Sequence, residues 1–316
     1  METATGDVVE QQFSVSSPAQ FTLNTVSGSV VVSPGEDGAI RVRATKSGRE
    51  EARANTVIDL EQTGNAVSVH THNRGASGIL GRFGGQMASV DFVVSVPRST
   101  SVEIKTVSAD VRVSGTEGAL RVQTVSGEVS VGDVQGDSQL TTVSGDVTAE
   151  GLAGTLTLHS TSGDARVAAS TLRDFNLHSV SGDFYLDTPL TAGEHYYAHT
   201  VSGDLELAIP GGTGVTVQMK TVSGEVHTGF ANAEIIKSGR RHWQGRINGG
   251  GANLEMQSVS GDLTIRGGEA GSGQHAAGQS GSDETGEPSR ASEILRALEQ
   301  GEIDVEQALS QLRGRR

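Results

Sequence analysis

A five-residue phrase, T-V-S-G-D, returns nine times along this chain. It first reads Thr25-Val26-Ser27-Gly28-Ser29 and last reads Ser258-Val259-Ser260-Gly261-Asp262. Between them it recurs, with small changes, around Ser108, Ser126, Ser144, Ser162, Ser181, Ser202 and Ser223. Successive serines are 81, 18, 18, 18, 19, 21, 21 and 37 residues apart. A period near 20 marks a stacked repeat, in which each unit is one layer and buries its apolar strip only against its neighbours.

Aligned on the serine, the apolar residues fall into columns. Six before it stand Phe21, Val102, Leu120, Leu156, Phe175, Tyr196, Val217 and Leu254, and four before it Leu23, Ile104, Val122, Leu140, Leu158 and Leu177. Three after it stand Val30, Val111, Val129, Val147, Phe184 and Leu205. Each repeat therefore reads apolar-x-apolar-x, a Ser-Gly-acid turn, then apolar-x-apolar: two short strands and a corner. Antiparallel hairpins in a meander would use such a unit. A parallel stack explains the identity of the columns better, because equivalent residues then lie directly on one another about 4.8 Å apart. The expected fold is all-β, a parallel β-solenoid of roughly 18–21-residue coils. The recurrent glycine is read as a corner residue with positive φ. Ala109 replaces it once, so that corner is expected to be strained or differently built. Right-handed winding is the default from crossover chirality. Residues 33–101 lack the phrase, keep strand patterning and have room for about four degenerate layers.

Composition agrees with a thin stack: 43 glycines in 316 residues, 34% apolar and 3% aromatic. The net charge of −14 (24 basic against 38 acidic residues) disfavours a phosphate-backbone partner. With no cysteine there is no disulfide frame, thiolate metal site or thiol nucleophile. The polar, acidic start is unlike a signal peptide, and no apolar run approaches a membrane helix, so a cytoplasmic protein is expected, with the cell surface by a non-standard route as the alternative. Three regions follow: the repeat domain, 1–266; a Gly/Ser-rich acidic linker, 267–288; and a helical hairpin, 289–316. In the hairpin, Ile294, Leu295 and Leu298 share one face, Asp304 with Gln307 opens a second helix, and Val305, Ala308, Leu309 and Leu312 form its stripe. Twenty-odd residues cannot bury a core alone, so this module is expected to dock, dimerise or fray.

The run Val90-Asp91-Phe92-Val93-Val94-Ser95-Val96-Pro97, then Val102-Glu103-Ile104-Lys105-Thr106-Val107-Ser108 and the repeats after it, resembles the bacterial putative-adhesin β-strand-repeat family, a domain of unknown function. The resemblance covers about residues 10–266. The stretch from Ile294 to Leu309 is similar to the short two-helix modules called SHOCT-like, which accompany this repeat domain in bacterial envelope-stress proteins, usually at the other end of the chain. The resemblance implies a β-solenoid with a binding or surface role and brings no catalytic residues.

Several clusters invite a chemical reading. Asp110, Glu128, Asp146, Asp164, Asp183, Asp204, Glu225 and Asp262 form an acid column. Either a cation relieves their repulsion, or each caps its own Ser-Gly turn and faces water. His159, His178 and His199 recur three residues before the serine in consecutive coils. They are candidates for a metal-binding or pH-sensing strip, or an exposed polar column that carries His. His195 and His199 have zinc-protease spacing without the glutamate or the helix, and His70 and His72 read as an exposed strand pair. Nine equivalent serines cannot each own a base, so the serines are not read as nucleophiles. The Gly75–Gly85 stretch offers Ile79, Leu80 and Phe83 as a contact loop. The reading is a non-enzymatic binding or assembly scaffold with no cofactor. Its partner would be a protein or surface polymer, and its interaction residues Ile79, Leu80, Phe83, Ile294, Leu295, Leu298, Leu309 and Leu312. Self-association is expected through the C-terminal helices or the open solenoid ends. The alternative is a bactofilin-like polymer-forming scaffold.

Overall fold

Alternation of apolar and polar residues makes every repeat a bent ribbon whose inner side chains meet across the bend. In the computed structural model, which describes residues 2–4, 7–74, 87–239 and 241–268, the described residues are mostly strand, with one short helix. It opens with β1 (Glu2–Ala4), β2 (Val8–Ser14) and the long β3 (Gln20–Pro34). Next come β4 (Ala39–Ser47), a short helix α1 (Glu50–Asn55), β5 (Thr56–Thr63), β6 (Ala66–Asn73), β7 (Ser89–Val96) and a second long strand, β8 (Ser101–Ser114). Strands then come two per coil: β9 (Leu120–Gln123) and β10 (Val129–Gly132), β11 (Ser138–Thr141) and β12 (Val147–Glu150), β13 (Ala153–His159) and β14 (Ala165–Ala168). They continue as β15 (Thr171–His178) and β16 (Phe184–Asp187), β17 (His195–Ser202) and β18 (Leu205–Pro210), β19 (Val215–Lys220) and β20 (Val226–Thr228). A hairpin of β21 (Ala233–Gly239) and β22 (His242–Ile247) precedes the last coil, β23 (Ala252–Ser260) and β24 (Leu263–Gly268).

Coils stack in parallel and in register. Ser138 lies beside Leu120 and Leu156, and Val129 beside Val111 and Val147, as the columns require. Side chains six and four before the serine, and three and five after it, fill one core; Phe21, Leu23, Leu120, Leu158, Phe175, Tyr196 and Leu207 are all buried. Phe175 and Tyr196 meet across adjacent coils at 4.9 Å between ring centroids. The Tyr196 hydroxyl accepts the Thr191 N–H at 2.9 Å, which satisfies its polar end.

Hydrogen bonding does not stop at the corner. The N–H of Ser126 donates to the Val107 carbonyl at 2.7 Å, Ser144 to Val125 at 2.9 Å and Ser162 to Val143 at 2.7 Å. Two residues before each serine stands a buried Thr or Ser, and at two corners its hydroxyl braces the turn: Thr106 Oγ1 accepts the Ala109 N–H at 3.1 Å and Thr142 Oγ1 the Gly145 N–H at 2.9 Å. The glycine is required twice over. Gly182 has φ +121°, and a Cβ there would overlap the carbonyl oxygen of Gly163 in the coil beneath. A Cβ on Gly145 would likewise overlap the Gly127 carbonyl. Ala109 escapes because its corner is built differently. It lies inside β8, which passes the bend as one strand and pairs residue for residue with β3, with Gly28 opposite Ala109. In four consecutive coils the far corner has its own left-handed residue, seven after the serine: Gly115 (φ 68°), Asp133 (51°), Gly151 (67°) and Ala169 (47°).

Both ends depart from the expected simple stack. Residues 33–101 do not form four parallel layers. One layer, β6 with β7, runs parallel to β3; beyond it β5 and β4 run antiparallel to β6 and β7, and β1 and β2 antiparallel to those. At the other end the coils do not stack in chain order. β23 pairs in parallel with both β17 and β19, and β24 with both β18 and β20. The last coil in sequence therefore fills a slot between the two coils before it. Hairpin β21–β22 then closes the end, antiparallel on β19. The 81- and 37-residue gaps thus hold the two end caps, of which the second covers β19 while β20 pairs with β24 alone among the described residues.

Gly182→Ala is expected to cost about 2–3 kcal/mol, from left-handed strain plus overlap with the coil beneath. Urea denaturation checks it: the midpoint falls while the slope stays constant.

Candidate interaction surface

On the first strand of each coil the residues five, three and one before the serine alternate with the core columns; from β13 onward they are partly or fully exposed, whereas Gln123, Val125, Thr141 and Val143 are buried. Three of these positions hold the histidines His159 on β13, His178 on β15 and His199 on β17, in register with one another. The His159 and His178 rings stack with centroids 4.9 Å apart and planes nearly parallel, at 15°. The His178 and His199 rings are 5.9 Å apart and tilted by 41°. The three histidines thus form a continuous strip. Among the described residues no three His, Cys, Asp or Glu side chains are grouped to hold a metal ion. Burial, and after it the neighbouring His199, hold the His178 imidazole below its ordinary value of 6.5.

Beside the histidines runs the feature that residue type concealed. By residue type alone the valine of T-V-S-G-D looks like core, yet from Val180 onward the alternation puts it outward. Val125 and Val143 are only 1% exposed, but Val180 is 50%, Val201 41%, Val259 50% and Val222 59% exposed. In the stacking order of the coils these four follow one another without a break, since Ser181 bridges Ser202, and Ser260 bridges both Ser202 and Ser223. On β17 the alternation is complete: Tyr196, Ala198 and Thr200 go in, while His195, Tyr197, His199 and Val201 come out. The signal that would have located the ridge is parity, because positions six and four before the serine are inward and position one is odd.

The second strand of each coil carries the acid column, and its carboxylates do not cap their own turns. Each aspartate reaches into the next coil. Asp146 Oδ1 accepts the Asp164 N–H at 2.9 Å, Asp164 the Asp183 N–H at 2.9 Å and Asp183 the Asp204 N–H at 2.8 Å. The ladder then follows the space order, Asp204 to the Asp262 N–H and Asp262 to the Glu225 N–H, both at 2.7 Å. Outside the ladder lies a shallow cleft of about 450 Å³ lined by Asp164, Asp183, Asp204, Glu206, Arg166 and Tyr185. Arg166 covers the Tyr185 ring at 4.1 Å, and Arg266, paired with Glu206 at 2.5 Å, lies 5.4 Å from the same ring. At the capped end a second cleft, about 710 Å³, is lined by Glu225, Asp262, Met219, His242 and Trp243. Nearby, β21 pairs with β22 along one edge, and its Ile235 and Ile236 are 61% and 45% exposed.

The remaining predicted positions are scattered. His70 contacts Asn24 Nδ2 through Nδ1 at 2.8 Å, and His72 Nδ1 lies 3.3 Å from an Asp59 carboxylate oxygen, so the pair is tied into the N-terminal cap. Ile79, Leu80 and Phe83, the linker beyond Gly268, and Ile294, Leu295, Leu298, Leu309 and Leu312 of the helical hairpin lie outside the described residues. No helix among the described residues is long and apolar enough to cross a membrane.

Residues 19–266 match the family model described as Toastrack DUF4097. Among solved structures, a "putative cell adhesion protein" from Clostridium sporogenes ATCC 15579 is 11% identical, with 83% of this chain and 100% of that chain covered and a TM-score of 0.28. A "putative adhesin" from Bacteroides fragilis NCTC 9343 is 13% identical, with 82% and 96% covered and a TM-score of 0.48. No curated protein matches the chain.

Two measurements probe this surface. Between pH 6.5 and the lowered folded pKa of His178, the unfolded chain binds a proton that the folded chain refuses. The stability tied to the neutral ring is complete above about pH 6.5 and falls as pH drops through that window. Melting temperatures of His178→Gln are expected to vary less with pH from 7 to 5 than those of the wild type. Asp183→Ala is expected to cost about 1 kcal/mol in urea denaturation by orphaning the Asp204 N–H, while Asp183→Asn, which keeps the acceptor oxygen, stays near wild type.

Proposed function

The chain belongs to the Toastrack DUF4097 family, and on that premise we propose that it is a non-enzymatic, adhesin-like binding scaffold whose contact surface is the outer face of β15, β17, β23 and β19. The observation that carries this reading is the unbroken run of exposed valines, Val180, Val201, Val259 and Val222, edged by Tyr197 and His199. A rigid sheet that keeps four apolar side chains in water, in a straight line across four coils, is suited to an extended protein segment or a surface polymer. The net negative charge speaks against nucleic acid.

One observation favours a second reading, a bactofilin-like polymer. Strand β21 carries exposed Ile235 and Ile236 at the capped end, and such a strand is a template for strand addition and head-to-tail growth. The two readings also differ in place: a scaffold of this kind works in the cytoplasm, an adhesin at the cell surface.

In a pelleting assay with intact bacterial cells, the purified protein is expected to co-sediment, and Val201→Asp with Val259→Asp to lower the bound fraction about tenfold. Equal binding by the double variant, with an unchanged circular dichroism spectrum, would remove the ridge from the binding surface. Filaments seen by electron microscopy for a chain ending at Gly268, and lost with Ile236→Lys, would move the weight to the polymer.

A further inference from the structure

Of the nine large apolar side chains that stand exposed among the described residues, five (Val180, Tyr197, Val201, Val222 and Val259) lie on this one face. We propose that its resident occupant is the chain's own C-terminal segment, with Val305, Leu309 and Leu312 laid along Val201, Val259 and Val222.

Three physical arguments lead there. The first is dimension. Residues spaced i, i+4 and i+7 on a helix span about 10 Å, and four stacked coils span about 14 Å. A helix running along the stack, across the strands, sets its stripe on the ridge. The second is tether length. Val259 and Gly268 belong to the same coil, and the nine residues between them reach at most about 30 Å. The 37 residues from Gly268 to Val305 begin with a Gly/Ser-rich stretch. The 20 residues 269–288 alone extend to at most about 65–70 Å, more than the distance to be bridged, so the tether permits the docking. The third is competition. A tethered segment meets its site at a local concentration in the millimolar range, so even a weak site, with a dissociation constant near 1 mM, is about half filled. A second copy at micromolar concentration does not compete.

Docking there makes the segment a cover for the contact surface proposed above. It rests on that reading only for its consequence, that an outside partner must displace the tail.

The absence of cysteine makes the test direct. In the full chain, Val201→Cys with Leu309→Cys leaves one possible intramolecular disulfide, which needs the two Cα atoms within about 7 Å. Under oxidised glutathione it is expected to form within single chains at least about tenfold faster than in a control pair, Thr264→Cys with Leu309→Cys. Thr264 lies on β24, the second strand of the coil next to that of Val201, closer along the chain to the tether, so tethering alone favours the control. Equal rates would overturn the proposal, and so would a disulfide formed chiefly between two chains, which would make a second copy the occupant. In the pelleting assay Leu309→Asp is expected to raise cell binding several-fold. A fast Val201–Leu309 cross-link with unchanged cell binding would uphold the docking and discard the contact-surface reading.

Discussion

Everything in this molecule depends on how closely one coil's backbone approaches the next at the Ser-Gly corner. In a flat region of sheet, side chains keep to the two faces and strands pair at their usual spacing. At a bend the Cβ of one coil would point at the carbonyl of its neighbour, and at Gly145 and Gly182 there is no room for it. Glycine keeps the hydrogen-bonded ladder unbroken around the corner, so the Ser144 and Ser162 N–H groups find the carbonyls of Val125 and Val143. With the corner fixed, register is fixed, and register aligns the core columns, the aspartate ladder and the histidine stack together. The aspartates reinforce the same contact from outside, each reaching across one coil boundary to an N–H. Like charges at coil spacing are tolerated because they are exposed to water and each also accepts a hydrogen bond.

Much of this was legible because a parallel in-register stack copies its rules from layer to layer. The columns at Leu120, Val122, Val129 and Val131 predict their own neighbours, and the recurring glycine marks the bend. Other features left weaker traces. The far corner needs a left-handed backbone at one position, but Gly115, Asp133, Gly151 and Ala169 all supply it, so no column of one residue type announces it. The N-terminal cap shares the alternation of the stack; Ile40, Val42 and Ala44 on β4 would look the same in a parallel or an antiparallel neighbour, and only pairing separates the two. For the surface, the histidine strip was readable from spacing. The valine ridge was missed by trusting hydrophobicity over parity, although Val201 occupies an odd position on a strand whose even positions all face inward.

The ridge also separates two demands on one phrase. The Thr, Gly and Asp of T-V-S-G-D are held by geometry: a hydroxyl that braces the turn, a Cβ that must be absent, a carboxylate that reaches the next coil. The valine is under no such constraint where it stands in water at Val180, Val201, Val259 and Val222. A residue free of structural duty yet apolar in four consecutive coils is a surface property of the stack, which is why a binding role is placed there and not on the acids or the serines.

The slot filled by β23 and β24 bears on how the molecule is made. A simple solenoid can be wound as it is synthesised, each new coil landing on a finished one. Here the β19–β20 coil leaves the ribosome before the coil that must lie between it and β17–β18. It cannot settle in its final place until residues 252–268 have emerged, and by then the hairpin has emerged too. Residues 215–268 therefore close as one cooperative block, and unzipping from that end has to begin with the whole block, since the last of these coils is locked between two others.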